Sequence, residues 1–223
     1  FNIKCDSWSL KPDLVVLVTT IRSLKYNWGQ DLKELSIKNL ETLEKWFPNL
    51  EKHIENMKKF GMNLVVCLNV FNTDTIEEIE FVKNKCLSLW VKVELWYWFS
   101  KWWDWMKSLT KTILQEIKND KSNFTKLYNN NDTVINKIKS IVYEIYGGKN
   151  IILSDKASNS LEKIVSMWYD KLPICMAKTP VSLSDNPKLL ARPKDFDFHI
   201  EDIQISSGAW FLIVISWSVM RMP

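Results

Sequence analysis

Residues 101–108 read KWWDWMKS, with three tryptophans in four positions and lysines on either side. Indole rings beside cations could form a platform for a flat ligand or an anchor for a partner protein. Equally, they could be core residues in an unusual place. The other chemically capable side chains follow apolar runs: Arg22 and Lys25, then Asn69, Phe71, Thr73 and Asp74, then Phe99 and Lys101. Cations at such places meet phosphates or carboxylates, and phenyl faces stack on flat rings. Each also has a plainer explanation, as a solvated basic pair, a helix cap or a core phenylalanine.

The elements that would hold these residues are legible from periodicity. The run LVVLVTT at 14–20 is continuous and β-branched, which predicts a strand covered on both faces. A helical stretch over 31–59 follows, interrupted near Pro48, where proline costs a helix hydrogen bond. Residues 63–70 predict a second buried strand. Thr73-Asp74-Thr75 then caps a helix reaching about residue 89, with Glu77, Glu78 and Glu80 in its first turns, where the macrodipole favours acids. A third strand over 91–95 and a helix over 106–119 complete the alternation.

Strand–helix alternation of this kind implies a right-handed parallel sheet with helices on its faces. Ligands of such sheets bind beyond the carboxyl ends of the strands, so the segments 22–29, 69–75 and 96–105 form the expected site. Beyond residue 120 the pattern changes to helices over 133–146, ending at Gly147-Gly148, and 157–168. Short strands and loops marked by Pro173, Pro180, Pro187 and Pro193 follow. The expected fold is therefore an α/β layer over 1–120 and a smaller α+β region over 121–223, a helical pair plus proline-marked strands.

Composition excludes several classes. The net charge of +4 is mild and its lysines alternate with acids, which argues against nucleic acid as partner, including single strands stacked on tryptophan. The longest apolar run, 209–220, is interrupted by Ser216 and Ser218 and is too short to cross a bilayer. It reads as a buried strand. Cys5, Cys67, Cys86 and Cys175 are scattered and form no CxxC pair, so reduced thiols in a cytoplasmic protein are expected, with no metal site. The chain has no initiator Met, no signal pattern and no polar tail, as expected of a fragment of a larger multidomain chain.

One figure is abnormal. Ordinary usage predicts roughly 16 glycines in a chain this long, and this one has 5 glycines and 12 tryptophans. An α/β fold needs glycine wherever φ is positive or backbones approach closely.

Taken together, the segments LKPDLVVLVTTIRSLKYN, NLEKHIENMKKFGMNLVVCLNVFNTDT, LPICMAKTPVSLSDNPKLLARP and SSGAWFLIVISWSVMRMP resemble formate–tetrahydrofolate ligases along essentially the whole chain. The resemblance implies a P-loop NTPase-like layer and an enzyme that uses ATP with Mg2+ to make formyl phosphate from formate. The formyl group then passes to tetrahydrofolate, a monovalent cation being a further expected cofactor. It also implies a homo-oligomer, tetrameric in the family. No GxxxxGK[ST] pattern occurs in this sequence. The family carries that phosphate-binding loop in a preceding part, so this chain alone is expected to be inactive, with no catalytic residue assigned within it.

By the same resemblance, Phe71 and Phe99 match the aromatic side chains that hold the folate ring, with Asn69 beside them. Lys101, Trp102, Trp103, Asp104 and Trp105 form a ligand loop, where Asp104 replaces the usual Glu. Arg22 and Lys25 would contact phosphate or the glutamyl carboxylate, and Lys178, Thr179, Ser182 and Ser184 would lie near the nucleotide. Asn27, Val70, Pro180, Val181, Ala191 and Ser218 depart from the family pattern, Ala191 standing for glycine. The family has glycine where this chain has Trp28, Trp46, Trp90, Trp102, Trp103, Trp105, Trp168, Trp210 and Trp217. Restoring all nine would bring the glycine count to 14, near the ordinary value. This predicts UGA codons that mean glycine in the source and were translated as tryptophan. The competing reading is a non-catalytic α/β interaction module whose exposed tryptophans anchor a partner.

Overall fold

The structure, a computed structural model, describes residues 1–26, 34–97, 104–119, 122–179 and 182–216. The chain divides into two compact units, one formed by Lys11–Thr125 and the other by Phe1–Leu10 together with Lys126–Pro223. The division thus falls after residue 125 rather than 120, and the first ten residues join the C-terminal unit. They carry one helical turn, α1 (Lys4–Ser7), and Asn2, whose side-chain amide donates to the Tyr128 carbonyl and whose carbonyl accepts from the Leu127 amide.

The unit Lys11–Thr125 is built around three parallel strands. Its elements run β1 (Val15–Thr19), α2 (Ile21–Tyr26), α3 (Leu40–Lys59), β2 (Leu64–Asn69), α4 (Ile76–Ser88), β3 (Lys92–Trp96) and α5 (Asp104–Asn119). The strand order is β1-β2-β3, in register from Val15 opposite Leu64 and from Val65 opposite Lys92. Central β2 is buried along Leu64, Val65, Val66, Cys67 and Leu68, as its unbroken apolar run requires. β1 is an edge strand in this sheet, which leaves Val16 and Val18 exposed instead of covered on both faces.

The expected break at Pro48 does not occur. α3 runs through it for 20 residues, because Leu43, Trp46 and Phe47 before the proline and Leu50 and Ile54 after it are all buried on one continuous face. That packing outweighs one missing backbone donor. α2, which the sequence reading did not separate, starts where the Thr20 hydroxyl accepts from the Ser23 amide at 2.8 Å.

The second unit is α+β, as expected. It contains α6 (Val134–Ser140), a π-helical turn (Ile141–Tyr146), β4 (Asn150–Leu153), α7 (Asp155–Ser166), β5 (Ile174–Ala177), β6 (Asp197–Ile200), β7 (Asp202–Ser206) and β8 (Phe211–Ile215). β4 pairs in parallel with β6, while β8 lies between parallel β5 and antiparallel β7. Ile138, Val142, Phe198, Ile200, Leu212 and Val214 form the buried centre. β4 was not anticipated, since Asn150–Leu153 is short and alternates in exposure.

Gly61 shows what the sheet unit asks of glycine. It closes α3 at φ +69, and a Cβ there would lie 2.0 Å from the Asn123 carbonyl oxygen. The Asn123 amide in turn donates to the Gly61 carbonyl at 2.8 Å. Gly61→Ala should therefore cost about 2–3 kcal/mol, combining left-handed strain with a backbone clash. Urea denaturation should show the midpoint falling with the slope unchanged.

Candidate functional site

The expected site lies at the carboxyl edge of β1 and β2, and Arg22, Phe71 and Thr73 meet there. The Arg22 guanidinium sits 4.4 Å from the centroid of the Phe71 ring, a cation–π contact. The same guanidinium donates to the Thr73 hydroxyl at 3.0 Å. Its Nε is buried and has no hydrogen-bond partner among the described residues. The loop beneath is fixed by Asp74, whose carboxylate accepts from the Phe71 amide at 2.8 Å while its own amide donates to the Phe71 carbonyl at 2.9 Å. Burial pushes the Asp74 carboxyl above its usual range, against the opposing pull of the Phe71 amide and Arg22. Asn69 ends β2 and is half-buried, and the following amide, that of Val70, donates to the Trp96 carbonyl at 2.8 Å.

Lys25 does not join this group. Its ammonium is buried against the Glu78 carboxylate at 2.5 Å, and donates to the carbonyls of Leu35 at 3.2 Å and Ile37 at 2.9 Å. Glu78 also accepts from the Asn39 amide at 2.9 Å and from the amide and hydroxyl of Thr75. Burial pulls the Glu78 carboxyl up, but the donors Lys25, Asn39 and Thr75 together outweigh it and hold the group below the usual range. Lys25 is thus a structural cation, with no exposed surface for a ligand phosphate. The cap of α4 is Thr75 with Glu78, a capping box, and not Thr73.

Phe99, expected to stack on the folate ring, and Lys101, Trp102 and Trp103 of the expected ligand loop lie outside the described residues. Asp104 and Trp105 are the first two residues of α5. That helix is docked on β3 by Glu94, which accepts from the Ser108 hydroxyl at 2.7 Å and the Thr112 hydroxyl at 2.6 Å. Glu94 escaped the sequence reading, since a lone acid in a strand gives no signal of partners on the next helix.

The residues expected near the nucleotide fall in the other unit and come together there as an internal network. Lys178 donates to the Thr179 carbonyl at 2.9 Å and to the Ser182 carbonyl, and lies 5.2 Å from the Tyr146 ring centroid. Ser182 and Ser184 are buried, with their hydroxyls 2.9 Å apart. They bond to the carbonyls of Leu189 and Asn186 respectively. Burial pulls the Lys178 ammonium down to about 8, against the attraction of Asp185. Asp185, itself buried, holds His199 through the His199 amide at 3.1 Å and Nδ1 at 2.9 Å. The Asp185–His199 pair joins positions that no motif connects in the sequence.

Among the described residues no group of three or more His, Cys, Asp or Glu could hold a metal ion, and no helix is long and apolar enough to cross a membrane. A parallel sheet with a cation and an aromatic face at its carboxyl edge is an α/β layer of the kind that receives ligands at that edge. A family model described as formate–tetrahydrofolate ligase matches residues 1–223. The chain belongs to the formate–tetrahydrofolate ligase family.

Two measurements check these electrostatics. Glu78→Gln leaves Lys25 charged and buried, so stability should fall by about 3–5 kcal/mol. Because the folded Glu78 carboxyl is held low, its contribution is present above the unfolded glutamate value of 4.5 and is lost as pH falls through the folded value. The variant should therefore lose part of the wild-type acid sensitivity. In the second unit, burial takes both Lys137 and Lys178 to about 8 from 10.5. The unfolded chain then binds more protons between those values, and stability should rise with pH across that window. Lys137→Met should flatten the rise, as read from urea midpoints at successive pH values.

Proposed function

We propose that the protein is the folate-side portion of an ATP-dependent ligase that joins formate to tetrahydrofolate through formyl phosphate, giving 10-formyltetrahydrofolate, ADP and phosphate. Membership of the family supports the reaction class. The observation that supports the site is the Arg22–Phe71 pair at the carboxyl edge of the parallel sheet, with a buried Arg22 Nε lacking a hydrogen-bond partner among the described residues. Phe71 offers a flat face to a pterin, together with Phe99 and Asn69. The spare donor on Arg22 suits a carboxylate oxygen, that of formate or of the glutamyl tail.

Formyl phosphate formation needs a phosphate-binding loop and Mg2+, which neutralise charge during phosphoryl transfer. Neither is assigned to residues of this chain, whose part is to bind and orient the folate. The expected ligand loop, residues 101–105, is assigned to the same folate pocket, its last two residues beginning α5. Lys178, Thr179, Ser182 and Ser184 would shape a wall near the nucleotide through the loop they brace. A cytoplasmic location and a homo-oligomer, tetrameric as in the family, complete the proposal.

In the ligase that carries this chain, Phe71→Ala should raise KM for tetrahydrofolate about tenfold, the value of one lost stacking partner, with KM for ATP unchanged. Arg22→Ala should lower kcat/KM by roughly 10–100-fold for formate or tetrahydrofolate, as loss of a charge-assisted bond requires. Steady-state kinetics with each substrate varied in turn decides the assignment. An effect confined to ATP would overturn it.

A further inference from the structure

Bulky residues avoid the left-handed backbone, where Cβ crowds the following carbonyl. Three tryptophans among the described residues nonetheless occupy it: Trp90 at φ 59, Trp168 at φ 63 and Trp210 at φ 54. Two of them end helices in one recurring hydrogen-bonded turn. After α4, the Trp90 amide donates to the Leu87 carbonyl and the Val91 amide to the Cys86 carbonyl. After α7, the Trp168 amide donates to the Val165 carbonyl and the Tyr169 amide to the Ile164 carbonyl.

The chain contains its own control. α3 ends in the same turn, with amides of residues 61 and 62 donating to the carbonyls of Lys58 and Met57, and there the left-handed residue is Gly61. This is the turn that glycine serves at helix ends. Trp210 closes the β7–β8 turn, its amide donating to the Ser206 carbonyl at 2.8 Å.

The strain obtains little burial in return. Trp90 is 94% exposed, Trp168 87% and Trp210 61%. Partner anchoring does not account for the backbone, because an exposed anchor needs no left-handed φ. Trp8 is 76% exposed with φ −110. Trp46 is a different case, fully buried within α3, and its geometry gives no reason for glycine.

We infer that positions 90, 168 and 210 are glycine positions of the functional polypeptide, and that tryptophan stands there because UGA codons meaning glycine in the source are read here as tryptophan. Five glycines against twelve tryptophans is the compositional trace of such a misreading. The ground is backbone geometry, independent of the ligase reading. Only the extension to residues 101–105, which would become KGGDG, rests on that reading.

The test compares Trp90→Gly and Trp168→Gly with Trp90→Ala, Trp168→Ala and the control Trp8→Gly, in the full chain, by denaturant midpoint. Each glycine at 90 and 168 should shift the folding equilibrium toward the native state by roughly five- to thirtyfold relative to alanine, which keeps the strained Cβ. Trp8→Gly should give no gain. Glycine variants at 90 and 168 no more stable than their alanine counterparts would overturn the inference. If the tryptophan chain does not fold at all, mass spectrometry of the protein from its source decides. Glycine in tryptic peptides 86–92 and 164–171 supports the inference, and tryptophan there overturns it. Failure of the kinetic tests at Arg22 and Phe71 leaves both readouts untouched.

Discussion

The sheet unit depends on one buried ion pair. Lys25 in α2 and Glu78 in α4 meet at 2.5 Å with almost no solvent exposure, and every remaining valence is used. Lys25 binds the carbonyls of Leu35 and Ile37, while Glu78 binds the amides of Asn39 and Thr75. Asn39 caps α3 through the Thr42 amide, and Thr75 caps α4. A single charge pair therefore sets the starts of two helices and the position of a third. A buried pair is weak evidence for net stability, since desolvation offsets most of the attraction. What its hydrogen bonds do supply is connection, since they tie α2, residues 35–37 and the starts of α3 and α4 to one point. Arg22 lies three residues before Lys25, and the Phe71 loop leads directly into the Thr75 cap, so the geometry of the candidate site is inherited from this clasp.

The second constraint is how helices are turned into strands. α3 leads to β2, α4 to β3 and α7 to β5, each through a left-handed residue one position past the helix cap. The turn fixes the direction in which the chain leaves the helix and so the registration of the strand that follows. At Gly61 the requirement is compounded by the Asn123 backbone, which occupies the space a side chain would need. At Trp90 and Trp168 the side chain points into solvent, which is why an indole can be present there without a clash, although not without strain.

Strong periodicity and strong local chemistry were legible in the sequence. β1 and β2 follow from unbroken apolar runs, and α3, α4 and α5 from periodicity and caps, the cap of α4 being the capping box at Thr75-x-x-Glu78. The misjudged features all depend on tertiary context. α3 crosses Pro48 because its buried face continues, and β1 is exposed at Val16 and Val18 because it lies at the edge of its sheet. Lys25 and Arg22 looked equivalent, two cations past a strand. Three positions apart on one short helix they lie on nearly the same side, and only their tertiary partners separate them: Lys25 meets buried Glu78, while Arg22 meets Phe71 and Thr73. No spacing rule could have found Glu94 with Ser108 and Thr112, or Asp185 with His199.

The two clusters of expected site residues also differ in what they leave unsatisfied. Around Lys178 the polar groups are consumed internally: the ammonium is surrounded by carbonyls and a ring face, and Ser182 and Ser184 bond to each other and to the loop they close. A loop so completely paired has its side-chain donors committed to holding its own shape. Arg22 is the opposite. One nitrogen is committed to Thr73 and the face of the guanidinium to Phe71, yet Nε is buried with no acceptor among the described residues. A buried donor left unpaired costs about 1–3 kcal/mol, a cost that binding a carboxylate at that atom would remove. The same atom that weakens the unliganded fold can therefore strengthen the liganded one, and it stands at the strand ends where an α/β sheet receives its substrate.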